Sequence, residues 1–525
     1  VTSPYFDKYF VKGNIEILGR VHRFAKNSSK EILNHTFGLF CMEKGLSLPT
    51  KYRKAKANIH AEYKSVAKYD KHQPELDEAD WLLAKEWTKT RYAKFMSGSK
   101  VLPKEIVLVE MDKTTSSGYP WSIHFRNKTE MLADSKASEV LDRYWDLIGT
   151  ENEDRIVPIW TLSQKIEMRD IEKLNRNSLR TFTASPFEFS TATNRMCLDA
   201  NNKFYLAANK SPSCVGISKF QRGWHDVYTR LNKHPNAFEL DESEYDSSLF
   251  RKALYAVRDI RWSYLQPSDQ THENWLRLCE IYDNIVNSVI VTSIGELIKK
   301  FTGNPSGSSN TVVDNTIILD ILSCYAFIRL CREQGIGPSY DYYVENVEEA
   351  FYGDDDDYTC SDEVVPWYNP VNIARIWGGI GVVTNTPCEA PRKLADISFL
   401  SNGFHWDDKY NMYFPKPETE RVLSSLMYGS ELDDVRWHLM RACALRLDSY
   451  WNIEVRNILR EYIDFLWTRF SDKFVGVVKI SGVEISMKEI DGVWKSDDWI
   501  EALYSGYEQC DSKTGHWFKL LTSIL

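Results

Sequence analysis

Apolar residues recur every three to four positions over 250–290 (FRKALYAVRDIRWSYLQ…ENWLRLCEIYDNIVNSVI), which predicts helix with a break at Gln266-Pro267-Ser268. Segments 50–100 and 135–150, rich in Ala, Lys, Glu and Leu, read as helices, and the helical pattern returns from about 418 to 470. Residues 311–334 (TVVDNTIILDILSCYAFIRLCREQ) follow a Gly/Pro/Ser loop and are apolar nearly throughout, so a long buried helix is expected. Two runs differ in kind. Asn236–Leu240 and Glu348–Phe351 are short, apolar or aromatic, and end abruptly at carboxylates, as buried strands do where they meet a polar cleft. KFVGVVKISGVEISM (473–487) alternates like the two strands of a hairpin. No 20–50-residue repeat and no low-complexity stretch is present, which removes solenoids and propellers. The pattern predicts helical lobes around a strand-bearing middle.

Composition narrows this only a little. With 525 residues, 43% hydrophobic and 26% charged, disordered, collagen-like and disulfide-scaffold chains are excluded, and the length allows roughly two to four lobes. Ten cysteines without a CxxC pair or a Cys/His quartet argue against a zinc ribbon and fit a reducing compartment. No apolar run approaches the ~18–20 residues of a bilayer span, and VTSPYFDKYF carries Asp7 and Lys8 where a signal peptide is apolar. A soluble intracellular chain is expected. Charge distribution matters more than the net of −9. Residues 1–100 hold 19 Lys/Arg against 11 Asp/Glu, a net of +8, so the remainder carries −17. A basic surface beside an acidic remainder suits a polyanion track next to a metal site, and a solvated basic face fits equally.

The candidate chemistry lies in the middle. FELDESEYDSSLF puts Asp241 at the end of an apolar strand and Asp246 five residues later. AFYGDDDDYT places Asp354 and Asp355 behind Tyr352-Gly353, so a hairpin tip projects at least one carboxylate. If the two strands adjoin, oxygen ligands converge, as Mg²⁺ and two-ion phosphoryl transfer require. Asp356 and Asp357 extend the acidic turn and are expected to face solvent. Between the clusters, FTGNPSGSSNTVVDNT bends at Gly303, Pro305 and Gly307, offers Ser306 near its tip, and carries Thr311 and Asn315 on one helix face. Such a loop suits a phosphate or ribose, and it also suits a plain turn. Upstream, Lys165, Arg169, Lys173 and Arg180 are interleaved with acids, so they read as ordered cations fit for a triphosphate. A salt-bridged surface helix would give the same pattern.

Taken in order, these segments resemble the RNA-dependent RNA polymerases of positive-strand RNA viruses, picorna-like in the broad sense. TTSSGYPW (114–121) is similar to that family's template-entry motif, with Ser117, Gly118, Tyr119 and Pro120 along the template path. Lys165, Arg169, Lys173 and Arg180 match its basic motif, and Asp241 with Asp246 its first palm motif. Ser306, Gly307, Thr311 and Asn315 match SG…T…N, Tyr352–Asp355 is YGDD, and FLSNGF (399–404) falls at the primer-grip hairpin. YDSSL and TVVDNT are similar to potyvirus replicases, whereas NPSG and YGDD suit astrovirus-, calicivirus- and picornavirus-like enzymes.

The resemblance implies an α+β closed right hand with an antiparallel palm sheet. Fingers would take 1–196 and 248–299, palm 197–247 and 300–405, and thumb and tail 406–525. It further implies template-directed RNA synthesis for viral genome replication and transcription, with two Mg²⁺ ions or Mn²⁺ in their place. Asp241, Asp354 and Asp355 would be catalytic and metal-binding, with Asp355 in support. Asp246, Ser306, Thr311 and Asn315 would select ribose, and the four cations would line the NTP channel. Arg392 and Lys393 are the nearest candidates for the general acid that the family places soon after Thr386-Pro387. The primer grip has Ser401-Asn402 where relatives have a basic pair, so strand contact there falls to backbone or neighbours. Expected partners are template and primer or product RNA, NTPs, and a protein primer with other viral replication proteins. The expected location is host cytoplasm at membrane-associated replication complexes, reached through partners. Three rivals stay open: a reverse transcriptase, a non-catalytic RNA-binding palm, and a metal-dependent nuclease. They differ in sugar preference, in metal response and in hydrolysis without incorporation.

Overall fold

The computed structural model describes residues 1–23, 25, 31–385, 389–480, 483–506 and 512–525. Its organising element is the helix Thr311–Glu333, whose residues from Val313 to Leu330 are buried almost without interruption. By length and apolar composition this helix is long enough to cross a bilayer, contrary to the expectation that no run approaches that length, but 89% of its most apolar window is buried in protein. It is a core helix. Along it lies Glu78–Met96, which starts where the Asp77 carboxylate accepts from the Asp80 N–H at 3.0 Å. Arg91 of that helix bridges Asp320 (2.9 Å) and Glu349 (2.8 Å), all three buried, and so ties the N-terminal region, the core helix and the strand Val347–Tyr352 together. Removing one member of such a cluster strands a desolvated charge, at about 3–5 kcal/mol.

The two largest sheets have three and five strands, and the smaller packs on this helix through its strand Val347–Tyr352. The smaller has three antiparallel strands in the order Asn236–Asp241, Asp355–Cys360, Val347–Tyr352. The larger runs Glu16–Arg20, Glu296–Lys299, Val289–Val291, Ile159–Gln164, Thr181–Ala184, with one parallel pairing between 159–161 and 289–291. Its strands are short; Val289–Val291 and Glu296–Lys299 pair across a four-residue turn, whereas Glu16–Arg20 reaches Glu296–Lys299 across more than half the chain. The predicted helices over 250–290 are Arg251–Tyr264 and His272–Val286, broken where expected. The helix Phe187–Leu206 spans the 196/197 boundary, and the strand Asn402–Asp407 spans 405/406.

A second apolar core gathers helices Thr419–Tyr428, Val435–Asp448 and Ile453–Arg469. The tail joins it through Trp499, Leu503, Tyr504, Trp517 and Leu521, so it packs on these helices. The strands Val477–Ile480 and Val483–Ser486 form the predicted hairpin. Eight cysteines among the described residues are free thiols.

Candidate active site

Asp241 ends its strand directly opposite Asp355, and Asp355 is in turn opposite Tyr352. Gly353 and Asp354 make the connecting turn. Gly353 has φ 65°, the left-handed region that tight hairpins need and glycine reaches without strain. Its N–H donates to Thr316 Oγ1 at 2.9 Å, which fastens the tip to the core helix. Asp241 and Asp354 are therefore exposed at the same end of the sheet. Although its carboxylate reaches solvent, desolvation by the protein packed around the hairpin tip raises the Asp354 pKa, and the Asp241 charge adds to it while Arg180 and Lys165 oppose it. Asp241 Oδ2 also accepts from Asn385 Nδ2 at 2.7 Å. Asp355 is turned to the next segment, where its Oδ2 accepts from the Leu400 N–H at 2.8 Å, and burial pushes it up to about 7.

Asp356 and Asp357 do not face solvent. Both are fully buried, because Asp355–Cys360 is the middle strand and is covered on both faces. Burial raises both pKa values, that of Asp356 further through the facing Glu242, itself pushed up to about 8. These acids are part of the core.

Asp246 sits on the short helix Tyr245–Ser248 and accepts from Asn315 Nδ2 at 2.6 Å, so the spacing-based pair is a direct contact. Burial pushes Asp246 up to about 6, Asp354 contributes in the same direction, and the Asn315 bond, Lys165 and Arg180 oppose it. Five of the expected residues, Asp241, Asp246, Asp354, Lys165 and Arg180, thus share one electrostatic neighbourhood. The Ser306 hydroxyl donates to Thr181 O (3.2 Å), and Thr311 Oγ1 donates to Pro305 O (2.8 Å) and Ser308 O (2.9 Å). Both hydroxyls shape the loop. Gly307 lies against the strand Thr181–Ala184 so closely that a Cβ there would meet Thr183 O at 2.2 Å.

The basic segment is strand, turn and short helix. Lys165 follows the strand Ile159–Gln164, and its N–H donates to Arg180 O at 2.9 Å. Arg180 forks onto Glu167 at 2.6 and 2.7 Å, which raises its pKa. Arg169 is engaged locally with Ser178, and Lys173 is exposed on the helix Ile171–Asn175. Upstream, Ser117 is buried and donates to Phe125 O at 2.9 Å, and Gly118 (φ 80°) abuts Pro186. Tyr119 is half-buried and Pro120 exposed. Arg392 runs beside Ala237 and pairs with Glu239 (3.2 Å) and Glu389 (2.5 Å), while Lys393 is exposed. Thr386 and Pro387 lie outside the described residues. At the hairpin Asn402–Asp407/Met412–Pro417, Arg421 Nη1, from the neighbouring helix Thr419–Tyr428, donates to Ser401 Oγ at 3.0 Å and so sets a cation beside the turn.

Among the described residues no group of three or more His, Cys, Asp or Glu could hold a metal by itself. Asp241 and Asp354, the first raising the pKa of the second, with the charges of Arg180 and Lys165 near enough to oppose that rise, fit hard ions that complete their shells with substrate oxygens and water. The residues present therefore fit Mg²⁺. Asn385, Glu167 and Asn304 carry contacts that motif reading missed. Only Glu167 left a signal, as an acid between Lys165 and Arg169.

A family model described as viral RNA-dependent RNA polymerase matches residues 43–461. The genome polyprotein of Watermelon mosaic virus II (isolate USA) is 30% identical over 324 residues, covering 60% of this chain and 29% of that protein. That of Soybean mosaic virus (strain N) is 30% identical over 324 residues, covering 60% and 10%. The chain thus spans under a third of these relatives' length. A solved Sicinivirus 3Dpol RNA dependent RNA polymerase superposes with a TM-score of 0.71 at 15% identity, covering 92% of this chain and 99% of that one. That likeness shows the right-hand polymerase fold, and with the match across 43–461 the chain belongs to the viral RNA-dependent RNA polymerase family.

Proposed function

We propose that this chain adds ribonucleotides to an RNA 3′-hydroxyl on an RNA template, for replication and transcription of a positive-strand viral genome. The observation that carries this reading is that the Asp241/Asp354 carboxylates and the Asp246–Asn315 pair adjoin within the reach of Arg180 and Lys165. Asp241 and Asp354 would hold two Mg²⁺ ions, or Mn²⁺, and Asp355 would brace the hairpin from behind. When bound, these ions supply Lewis acidity that lowers the pKa of the attacking hydroxyl and stabilises charge on the phosphates. Arg180 and Lys165 neutralise the triphosphate, and the Glu167 clamp fixes the Arg180 fork in advance. Asp246 and Asn315 receive the ribose 2′-hydroxyl, and a sugar lacking it leaves buried polar groups unpaired. A nuclease has no use for that pair, and a reverse transcriptase would need the opposite preference.

The fingers, palm and thumb ranges given above serve as the working division. Template and primer or product RNA, NTPs, a protein primer and other viral replication proteins are the proposed partners. Host cytoplasm at membrane-associated complexes is the proposed location. The test is primer extension on a homopolymeric RNA template with Mg²⁺, NTP against dNTP, wild type beside Asp354→Asn. Incorporation confined to NTP and lost in the variant supports the reading. Equal activity in the variant, or RNA binding by folded wild type without incorporation, overturns it.

A further inference from the structure

Asn304 precedes Pro305 in the bent loop, fully buried; it opens the NPSG segment but has been given no role so far. Its Nδ2 donates to Asn315 Oδ1 at 2.9 Å. Asn315 in turn donates through Nδ2 to Asp246 Oδ1 at 2.6 Å. The direction of this relay follows from chemistry. An ionised carboxylate only accepts, so Asn315 must present its NH₂ to Asp246 and its carbonyl to Asn304, and Asn304 must present its own NH₂. The cost is visible, because Asn304 Oδ1 is buried without a partner. An apolar side chain would avoid that orphan acceptor, which itself calls for an explanation.

The backbone around Asn304 is held from several sides. Its N–H donates to Asp246 O at 2.9 Å, and its carbonyl accepts from Tyr69 OH at 3.1 Å. The preceding Gly303 (φ 84°) is pressed against Tyr69, where a Cβ would meet ring carbon Cε1 at 2.4 Å. Below the loop, the buried Lys300 ammonium donates to Ile285 O (2.7 Å), Val286 O (2.9 Å), Thr302 O (3.0 Å) and Gly303 O (2.9 Å). The loop is therefore fixed where Asn304 leaves it.

We infer that Asn304 is a specificity-determining positioning residue: its amide fixes the orientation of the Asn315 amide and thereby the sugar selectivity of the site. Without its donor, the Asn315 carbonyl loses its partner, and the side chain, held only by its bond to Asp246, can swing out of the position in which it meets the ribose. This rests on the ribose-selecting reading of Asp246 and Asn315.

The test compares kcat/KM for ATP and 2′-deoxyATP in wild type, Asn304→Leu, Asn304→Asp, Asn315→Ala and the Asn304→Leu/Asn315→Ala double variant. The ratio is insensitive to how much protein is folded, so a structural role alone leaves it unmoved. Both Asn304 variants are expected to lower it roughly tenfold, the size of one lost polar contact, and the double variant to fall no further than Asn315→Ala. For any variant without turnover, the affinities of ATP and 2′-deoxyATP on a primed RNA duplex give the same ratio. If Asn315→Ala lowers the ratio and the Asn304 variants keep it, the inference fails and the ribose reading stands. If no variant moves the ratio, the ribose reading fails and the inference with it.

Discussion

Asp355 stands directly across from Asp241 in the strand register, yet its carboxylate is engaged by the Leu400 N–H at 2.8 Å while Asp241 and Asp354 remain exposed. Adjacent aspartates of one turn thus have different duties. Asp354→Asn is expected to cut incorporation about 10³-fold or more, as when a charge aimed at the transition state is removed. Asp355→Asn keeps an acceptor for Leu400 and is expected to cost about 10–100-fold, the range of a supporting contact. Single-nucleotide incorporation rates check both, and equal losses would refute the division.

Much of this site was legible because spacing carries it. Asp241 and Asp246 five apart, and Thr311 and Asn315 one helical turn apart, need only local geometry to be placed. What escaped depends on contacts between distant segments. Asn304 and Asn385 show nothing in their neighbourhood that marks a polar relay, since their partners lie 11 and 144 residues away. Asp356 and Asp357 misled for a related reason. Four acids in a row read as solvated turn, but a middle strand is covered on both faces whatever its composition. The five-stranded sheet was missed because its strands are three to six residues long and two of its four pairings join distant segments, 16–20 with 296–299 and 159–161 with 289–291.

Arg180 depends on Glu167 for its orientation, through two bonds of 2.6 and 2.7 Å. Glu167→Gln keeps size and one acceptor but loses the charged fork. If Arg180 meets the triphosphate as proposed, it does so in ground and transition states alike, and the KM for NTP is expected to rise about tenfold with kcat nearly unchanged. Steady-state kinetics decide, and a fall confined to kcat would contradict the clamp.

Gly307 touches the strand Thr181–Ala184 where no side chain fits: an added Cβ would lie 2.2 Å from Thr183 O and 3.0 Å from Ala184 Cα. Gly307→Ala must therefore move the loop off the sheet that carries the basic segment. A stability loss of about 1–3 kcal/mol is expected from the overpacking, with a larger relative loss of incorporation than of folding. Denaturant unfolding beside primer extension separates the two. Wild-type activity in this variant would show that the contact is not needed.

Arg261 and Asp314 form a buried pair one residue before Asn315, with Nε and Nη2 at 3.0 and 2.8 Å from Oδ1 and Tyr282 OH at 2.8 Å from Oδ2. Arg261→Met leaves the carboxylate desolvated and without its charge partner, held only by Tyr282 OH, at roughly 3–5 kcal/mol. Adding Asp314→Leu removes the stranded charge, so the double variant should recover most of that loss. Urea unfolding of the three proteins is the measurement, and additive losses would refute the pairing as the source.

Glu188 lies in the first turn of Phe187–Leu206, two residues beyond the Pro186 that Gly118 abuts, and accepts from Trp121 Nε1 at 2.7 Å. A helix N-terminus favours a carboxylate, yet burial wins and pushes this group up to about 7. The sign follows. Between the unfolded value near 4.5 and about 7 the folded chain binds the extra proton, so stability from this group is full at low pH and falls as pH rises. The accumulated loss is of order 3 kcal/mol. Glu188→Gln preserves the acceptor for Trp121 and abolishes the titration. The variant should match wild type near pH 4.5 and exceed it increasingly up to pH 7, after which the gap is constant. Subtracting the two urea-unfolding profiles cancels every other titrating group, and parallel profiles across that window would show that Glu188 titrates as it does in the unfolded chain.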